Sequence, residues 1–240
     1  MILILAAAVV PVFLLLYFIY SKDFNPEPKK AVLKAFFYGA LSSIPALLVE
    51  ELLAALGMVD MEPSTFFGAA TVSFLGASIP EESAKLLMLW LFLRKCPEFD
   101  ERYDGLVYAA AVGLGFACVE NIFYVVQSGS GWLETSILRA FLSVPGHFAF
   151  AVVMGYYYSR NHFDWVKVSA WDQIKVWLYP VLLHGIYDTI AFSVTLGTLG
   201  SALMMLGLLV FCFFLFRHTR RLILAEAEKN RLAAIAEKET

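Results

Sequence analysis

The sequence predicts an all-α protein of the polytopic membrane class, built as a bundle of about seven transmembrane helices. Of its 240 residues, 60% are hydrophobic and only 16% are charged, and the mean hydropathy is +0.71, which is far more apolar than an ordinary soluble domain. Seven apolar runs are long enough to cross about 30 Å of hydrocarbon. Basic residues occur in every second connection between these runs, which is the pattern that the positive-inside rule predicts.

The predicted spans begin with a strongly apolar run at the N-terminus. In chain order they cover residues 2–20, 32–57, 65–93, 105–127, 134–158, 174–196 and 199–216. The first run has no preceding basic residue and no clear cleavage site, so we interpret it as a retained anchor and not as a signal peptide. The second span ends near the acidic pair Glu50 and Glu51, which we interpret as interfacial.

Alternate connections contain the basic residues and so set the predicted orientation. They are Lys22, Lys29, Lys30 and Lys34 in loop one, Arg94, Lys95 and Arg102 in loop three, Arg160, Lys167 and Lys175 in loop five, and Arg217, Arg220, Arg221, Lys229, Arg231 and Lys238 in the tail. Loops two, four and six have none. This places the N-terminus outside and the C-terminus in the cytoplasm. We therefore expect a multi-pass protein of the cell membrane, with the lipid bilayer as a partner and no nucleic-acid surface.

The third span contains several polar residues near its middle. Ser78, Pro80 and Glu81 have the spacing of a capping box that restarts a helix after a break, which would make Glu81 structural. Glu81 and Lys85 are four residues apart and could simply neutralise each other. Glu82 would then lack a cation of its own. Two carboxylates that share one lysine tend to have different pKa values, which is the usual setting for acid and base chemistry.

The fourth and fifth spans add Glu120, Asn121 and His147. Glu120 and Tyr124 are one helical turn apart and could form a hydrogen-bonded packing pair. A lone histidine in a membrane span more often makes a hydrogen bond between helices than it binds a ligand. For each of these residues taken alone, a structural role is therefore a full alternative to a functional one.

The sixth span contains His184 and Asp188, again one turn apart. The aspartate could fix the tautomer of the imidazole or join it in binding a metal. The predicted topology puts the polar groups of spans three to six at depths of roughly 15 to 24 Å from the cytoplasmic helix ends. Ionisable residues at such depth are costly, so their common depth predicts a single buried site made by four helices.

No repeat or linker divides the chain, so we predict one membrane domain over residues 1–216 and a charged, helical cytoplasmic tail over residues 217–240. The three cysteines are far apart, which predicts neither a disulfide framework nor a thiolate metal site. The polar motifs are confined to a core of residues 65–195.

Four motifs in this core, in this order, resemble those of the PrsW family of intramembrane proteases, which is similar to the CaaX prenyl endopeptidases and the bacteriocin-processing membrane proteases. The motifs are Glu81-Glu82-Ser83-Ala84-Lys85, Gly115 to Asn121 followed by Tyr124, Pro145-Gly146-His147 with Ala151, and His184-Gly185-Ile186-Tyr187-Asp188. The resemblance implies hydrolysis of a peptide bond in a membrane-anchored protein such as an anti-sigma factor.

The resemblance also implies which residues act. Glu81, Glu82, His147 and His184 would form the catalytic set, and Lys85, Glu120, Asn121 and Asp188 would support it. Hydrolysis requires an activated water, an oxyanion stabiliser and a proton donor. Without a metal, Glu82 or Glu81 would be the general base, His147 would assist it, and His184 with Asp188 would stabilise the oxyanion. Alternatively, a divalent ion, Zn²⁺ first among the candidates, could be held by histidines and carboxylates, with one glutamate left as the base. The candidate metal ligands are His147, His184, Glu120 and Asp188.

Two other classes of function remain open from the sequence. In a proton-coupled transporter the same carboxylates and histidines would relay protons, which predicts paired broken helices. A noncatalytic membrane scaffold could keep the fold without the chemistry.

Overall fold

A computed structural model describes residues 2–164, 168–197 and 200–238, and every secondary-structure element within those ranges is helical. Lys167, predicted in loop five, and Leu199, predicted to begin the last span, lie outside the described residues, as do residues 1, 239 and 240 of the predicted domain and tail.

The described helices follow the predicted spans closely. They are α1 (Ile2–Tyr20), α2 (Lys29–Ala55), α3 (Phe66–Thr71), α4 (Ile79–Leu93), α5 (Arg102–Gln127), α6 (Trp132–Leu138), α7 (Val144–Phe163), α8 (Ala170–Thr195) and α9 (Ser201–Lys238). The predicted tail continues the last span without a break, as the second half of α9.

Among the described residues, five helical stretches are long and apolar enough to cross a membrane. They correspond to the first, second, fourth, fifth and seventh predicted spans. The third predicted span is divided among shorter segments, and α8 has 26 residues but carries His184 and Asp188, which lower its hydropathy. The all-helical membrane class is therefore confirmed, whereas the count of seven remains a prediction.

Two π-helical segments, Val72–Ser78 and Arg139–Ser143, lead without a gap into α4 and α7. Each is followed by a proline near the start of the next helix, Pro80 or Pro145. Proline lacks the N–H that a regular helix would use and its ring clashes with the carbonyl four residues earlier. For both prolines that carbonyl lies in the π-helical segment, whose wider turn relieves the clash.

The structure excludes the capping box at Ser78. Ser78 has helical backbone angles (φ −61°, ψ −38°), and its side chain makes no capping hydrogen bond to α4. The chain therefore does not break and restart at Pro80, because the π-helical turn accommodates the proline while the helix continues. Glu81 is consequently free of the structural role that a capping box would have given it.

Helix α5 is the centre of the bundle and packs against α1, α2 and α7. Glycines allow the close approach on two sides. A methyl group at Gly39 or Gly115 would overlap the backbone of the facing helix, at Val112 or Phe36, and one at Gly113 would overlap Ala151. The outward faces of the surrounding helices present large apolar side chains, as a lipid-facing surface does.

Candidate active site

Polar side chains of α4, α7 and α8 meet inside the bundle, where Glu120 of α5 contacts one of them. Glu81, Glu82, His147 and His184 each offer a ligand atom, and these four atoms lie within 4.8 Å of one another. All four residues are buried, and Glu82 has no exposed surface. The structure thus brings together groups that the sequence placed at one depth on separate spans.

Lys85 lies at the centre of this cluster. Its ammonium nitrogen is 3.1 Å from Glu81 Oε2 and 2.8 Å from Glu82 Oε1, and 3.2 Å from His147 Nδ1 on another helix. The same nitrogen lies 3.9 Å from the centroid of the Phe116 ring. One buried cation therefore contacts both glutamates of α4, including Glu82, which the spacing left without a cation of its own, and also orients a histidine of α7.

His147 is held from both of its ring nitrogens. Nδ1 faces the Lys85 ammonium, which can only donate, so Nδ1 is the acceptor and Nε2 carries the proton. Nε2 then donates to Glu120 Oε2 at 2.7 Å. The contacts with Lys85 and Glu120 together fix both the tautomer and the orientation of the imidazole.

Arg139 completes the surroundings of Glu120. Its guanidinium is 2.9 Å from Glu120 Oε2, donates to Asn121 Oδ1 at 2.8 Å and lies 4.3 Å from the centroid of the Tyr124 ring. Tyr124 thus contacts the group that neutralises Glu120. Our sequence reasoning missed Arg139, although an arginine inside an apolar run of the fifth span was a visible signal.

His184 lies between two carboxylates. Its Nδ1 is 2.8 Å from Glu82 Oε1, and its Nε2 is 3.1 Å from Asp188 Oδ2. The ring stacks on Phe150 at a centroid distance of 4.9 Å. An imidazole with carboxylates at both nitrogens can donate at both when it is doubly protonated, which suits it to stabilise negative charge.

A mostly apolar cavity of about 290 Å³ connects the cluster to the outside of the bundle between α2 and α5. Its polar lining residues are Ser43, Glu50, Glu81, Glu120 and Tyr124. Sequence reasoning placed Glu50 at the membrane interface, apart from the site. The structure adds it to the groups that face Glu81 and Glu120, whereas its neighbour Glu51 is exposed.

Two larger cavities, of about 640 and 590 Å³, lie elsewhere. Neither is lined by any of the four cluster residues. We therefore assign the candidate site to the smaller cavity on its chemistry and not on its size.

The donor set fits a divalent metal ion. Two imidazoles and two carboxylates converge, and the far nitrogen of each histidine faces a further carboxylate, Glu120 or Asp188, which is the usual support of a metal-bound histidine. Glu82 Oε2 is buried and has no hydrogen-bond partner among the described residues, so one donor atom remains available. Glu120 and Asp188, predicted as candidate ligands, instead contact the outer nitrogens of the two histidines.

Comparison with known proteins agrees with this chemistry. Residues 27–216 match the family described as PrsW family intramembrane metalloprotease. The chain is 39% identical over 185 residues to a protein named Protease PrsW from Geobacillus kaustophilus, covering 77% of each chain. It is 36% identical over 189 residues to the Protease PrsW of Bacillus subtilis, covering 78% of this chain and 82% of that one.

A third relative, the Protease PrsW of Clostridioides difficile, is 35% identical over 186 residues, which is 76% of either chain. No solved structure matches the chain.

Proposed function

The chain belongs to the PrsW family of intramembrane metalloproteases, and on that basis we propose that its buried cluster hydrolyses a peptide bond of a membrane-anchored protein, with water as the nucleophile. It is a multi-pass integral membrane protease. The observation that supports the proposed site most strongly is the convergence of Glu81, Glu82, His147 and His184 within 4.8 Å, with Glu81 in the lining of a cavity between α2 and α5.

Glu81 is the general base in this proposal. Both glutamates contact Lys85, but only Glu81 lines the cavity through which a water and a peptide would arrive. Glu82 has no exposed surface and contacts both Lys85 and His184. Its part is to hold these two groups in position, while Glu81 takes a proton from the attacking water.

The two histidines divide the remaining tasks. His184, with carboxylates at both nitrogens, favours the developing oxyanion by its positive charge, and Glu81 returns the proton of the water to the leaving amine. His147, held by Lys85 and Glu120, orients the water beside Glu81. Both roles require fixed imidazoles, and the contacts with Glu120 and Asp188 supply this constraint.

In the metal-dependent version of this chemistry, the Lys85 ammonium, which contacts Glu82 and His147 in the structure, would move aside. Glu82, His147 and His184 would then hold a divalent ion beside Glu81. The ion would supply a Lewis acid that polarises the scissile carbonyl and lowers the pKa of a bound water. In the glutamate-type version, Lys85 and His184 provide the positive charge of the site. The same four side chains serve in both versions, so the metal content is a question for measurement.

A membrane-spanning protein segment is the substrate that suits the cavity. Its lining is apolar apart from a few polar groups, and it opens between two helices whose outer faces are apolar. A substrate helix must unwind locally, because a helical backbone hides the scissile carbonyl. An anti-sigma factor with a single membrane anchor is one such substrate.

We further propose seven membrane crossings, with the N-terminus outside and the C-terminus in the cytoplasm. The third crossing combines α3, the segment Val72–Ser78 and α4, and the sixth is α8. Glu81, Glu82 and His184 lie on these two crossings, whose apolar character is reduced by the polar residues of the site.

The test is cleavage of a panel of single-span membrane substrates by the purified protein in liposomes, with new termini identified by mass spectrometry. We expect cleavage by wild-type protein and none by His184→Ala protein. Loss of cleavage after treatment with a chelator, restored by Zn²⁺, would select the metal-dependent version. Cleavage that persists in His184→Ala protein would refute the proposed site, and a folded wild-type protein that cleaves no substrate would favour the transporter or scaffold alternatives.

A further inference from the structure

A second group of buried acids shares no residue with the intramembrane cluster. Asp23 and Glu27 belong to the loop between α1 and α2, and Asp104 lies in the first turn of α5. Each offers one carboxylate oxygen, and the three oxygens lie within 4.8 Å of one another. Asp23 and Glu27 are 8% and 5% exposed, and Asp104 is fully buried.

Two carboxylate oxygens of this group are unpartnered. Asp23 Oδ2 and Asp104 Oδ1 are buried and have no hydrogen-bond partner among the described residues. The second oxygen of each carboxylate is used: Asp23 Oδ1 accepts from the Asn25 backbone N–H, and Asp104 Oδ2 accepts from the backbone N–H groups of residues 100 and 101. Buried unpartnered oxygens are rare in folded proteins and require an explanation.

No cation in the part of the chain that the structure describes forms an ion pair with these acids. Within residues 2–164, 168–197 and 200–238, the ion pairs include none to Asp23, Glu27 or Asp104. Glu27 Oε2 accepts the hydroxyl hydrogen of Tyr108, which is a neutral partner. Three buried carboxylates without a cation are unfavourable, so a bound ion would stabilise them.

We propose that Asp23, Glu27 and Asp104 form a cation site, separate from the intramembrane cluster, that takes a hard divalent cation, Mg²⁺ or Ca²⁺, through carboxylate oxygens. The donor set favours this class, because carboxylates suit Mg²⁺ and Ca²⁺ whereas Zn²⁺ prefers nitrogen and sulfur. Oxygens on opposite sides of a Ca²⁺ ion lie about 5 Å apart, which agrees with the observed spacing. The ion would fasten the loop between α1 and α2 to the start of α5.

The experiment measures thermal unfolding of the full-length protein in detergent, freed of metal with a chelator and then titrated with MgCl₂ or CaCl₂. NaCl of equal ionic strength is the reference. We expect the Tm of wild-type protein to rise and saturate with one of the two salts, because an ion that binds only the folded state stabilises it. Isothermal titration calorimetry on the same sample should count one ion at this site.

Asp23→Asn is the principal variant, since an asparagine can keep the hydrogen bond to Asn25 while it removes the charge. We expect its apparent Kd for the ion to be at least about tenfold weaker, because the number of charged ligands sets the affinity of such sites. Without the ion it should be at least as stable as wild-type protein, because a repulsive charge is gone. Asp60→Asn, which removes an exposed carboxylate of the loop between α2 and α3, should respond to the ion like wild-type protein.

Two further variants make the result of the titration unambiguous. His184→Ala removes a ligand of the intramembrane cluster. If His184→Ala protein keeps the rise of Tm with the ion, the rise belongs to the site proposed here. If it loses that rise, the proposal is contradicted. Glu27→Gln is the second ligand variant. It is preferred to Asp104→Asn, because loss of the Asp104 carboxylate would also disturb the start of α5. A wild-type Tm that moves no further with MgCl₂ and CaCl₂ than with NaCl, or an equal rise in Asp23→Asn protein, would overturn the site.

Discussion

At the scale of single residues, Lys85 explains how two adjacent glutamates can be buried side by side. Its side chain is 2% exposed and contacts Glu81, Glu82 and His147. The pairing with Glu81 followed from helical spacing in the sequence, whereas Glu82 was expected to lack a cation of its own. The contact with His147 did not follow from the spacing, because helical periodicity carries no information about which side chain of another helix lies opposite.

Lys85→Met should destabilise the protein strongly, since it leaves buried carboxylates without their cation. Removal of one partner from a buried ion pair costs about 3–5 kcal/mol of unfolding free energy. Thermal unfolding in detergent measures the effect, with Lys30→Met, which removes an exposed lysine, as the matched control. Equal Tm values for the two variants would show that the glutamates do not depend on Lys85.

Glu120 is a positioning residue for His147 in this account. Glu120→Gln should lower kcat by about 10-fold to 100-fold, the usual cost of losing such a support, while KM changes little because the substrate-facing surface is kept. Glu134→Gln, an exposed carboxylate of α6, should leave both constants unchanged. A rise in KM without a fall in kcat would instead assign Glu120 to substrate binding.

At the scale of elements, the two π-helical segments place the site residues. Ser78-Ile79-Pro80-Glu81-Glu82 and Ser143-Val144-Pro145-Gly146-His147 share one pattern, in which a proline follows the π-helical segment and the functional residues come next. From the sequence, only Pro80 was recognised, and it was interpreted as a break in the helix. Hydrophobic patterning could not distinguish a break from a wider turn, because both keep the segment apolar.

Pro145→Ala should therefore reduce activity without unfolding the protein. Alanine supplies the missing N–H and removes the ring, so the segment Arg139–Ser143 can tighten into a regular α-helix and displace His147. We expect the cleavage rate to fall by tenfold or more, since displacements of about 1 Å can cost 100-fold. Pro11→Ala, inside α1, is the control for loss of a helical proline, and equal rates for the two variants would contradict this role.

At the scale of the whole molecule, the sequence predicted the membrane class and the common depth of the polar groups, because long apolar runs and the ionisable residues within them are visible in one dimension. The sequence did not predict that Glu50 and Arg139 belong to the site: Glu50 was assigned to the membrane interface, and Arg139 was overlooked. Both lie close to predicted span ends, where charged residues are normally interfacial, and only the packing of α2, α5 and the segment Arg139–Ser143 brings them beside Glu120 and Glu81.

The proposed orientation can be tested with single cysteines in a chain whose Cys96, Cys118 and Cys212 are replaced by alanine. Ser64→Cys, in loop two, should react with a membrane-impermeant maleimide in intact cells, because that loop is predicted outside. Ser21→Cys, in loop one, should react only after the membrane is opened. The reverse pattern would invert the topology, and labelling of both positions in intact cells would exclude the proposed crossing by α2.

The central claim is that Glu81, in the lining of the cavity between α2 and α5, activates the water that cleaves a membrane-anchored substrate. It is tested most directly by the single-turnover cleavage rate of Glu81→Gln protein in liposomes, measured beside Glu51→Gln, which removes an exposed carboxylate of α2. We predict a rate for Glu81→Gln at least about 100-fold below wild type, from the contribution of a general base, and an unchanged rate for Glu51→Gln. A Glu81→Gln protein that cleaves at the wild-type rate would contradict the account.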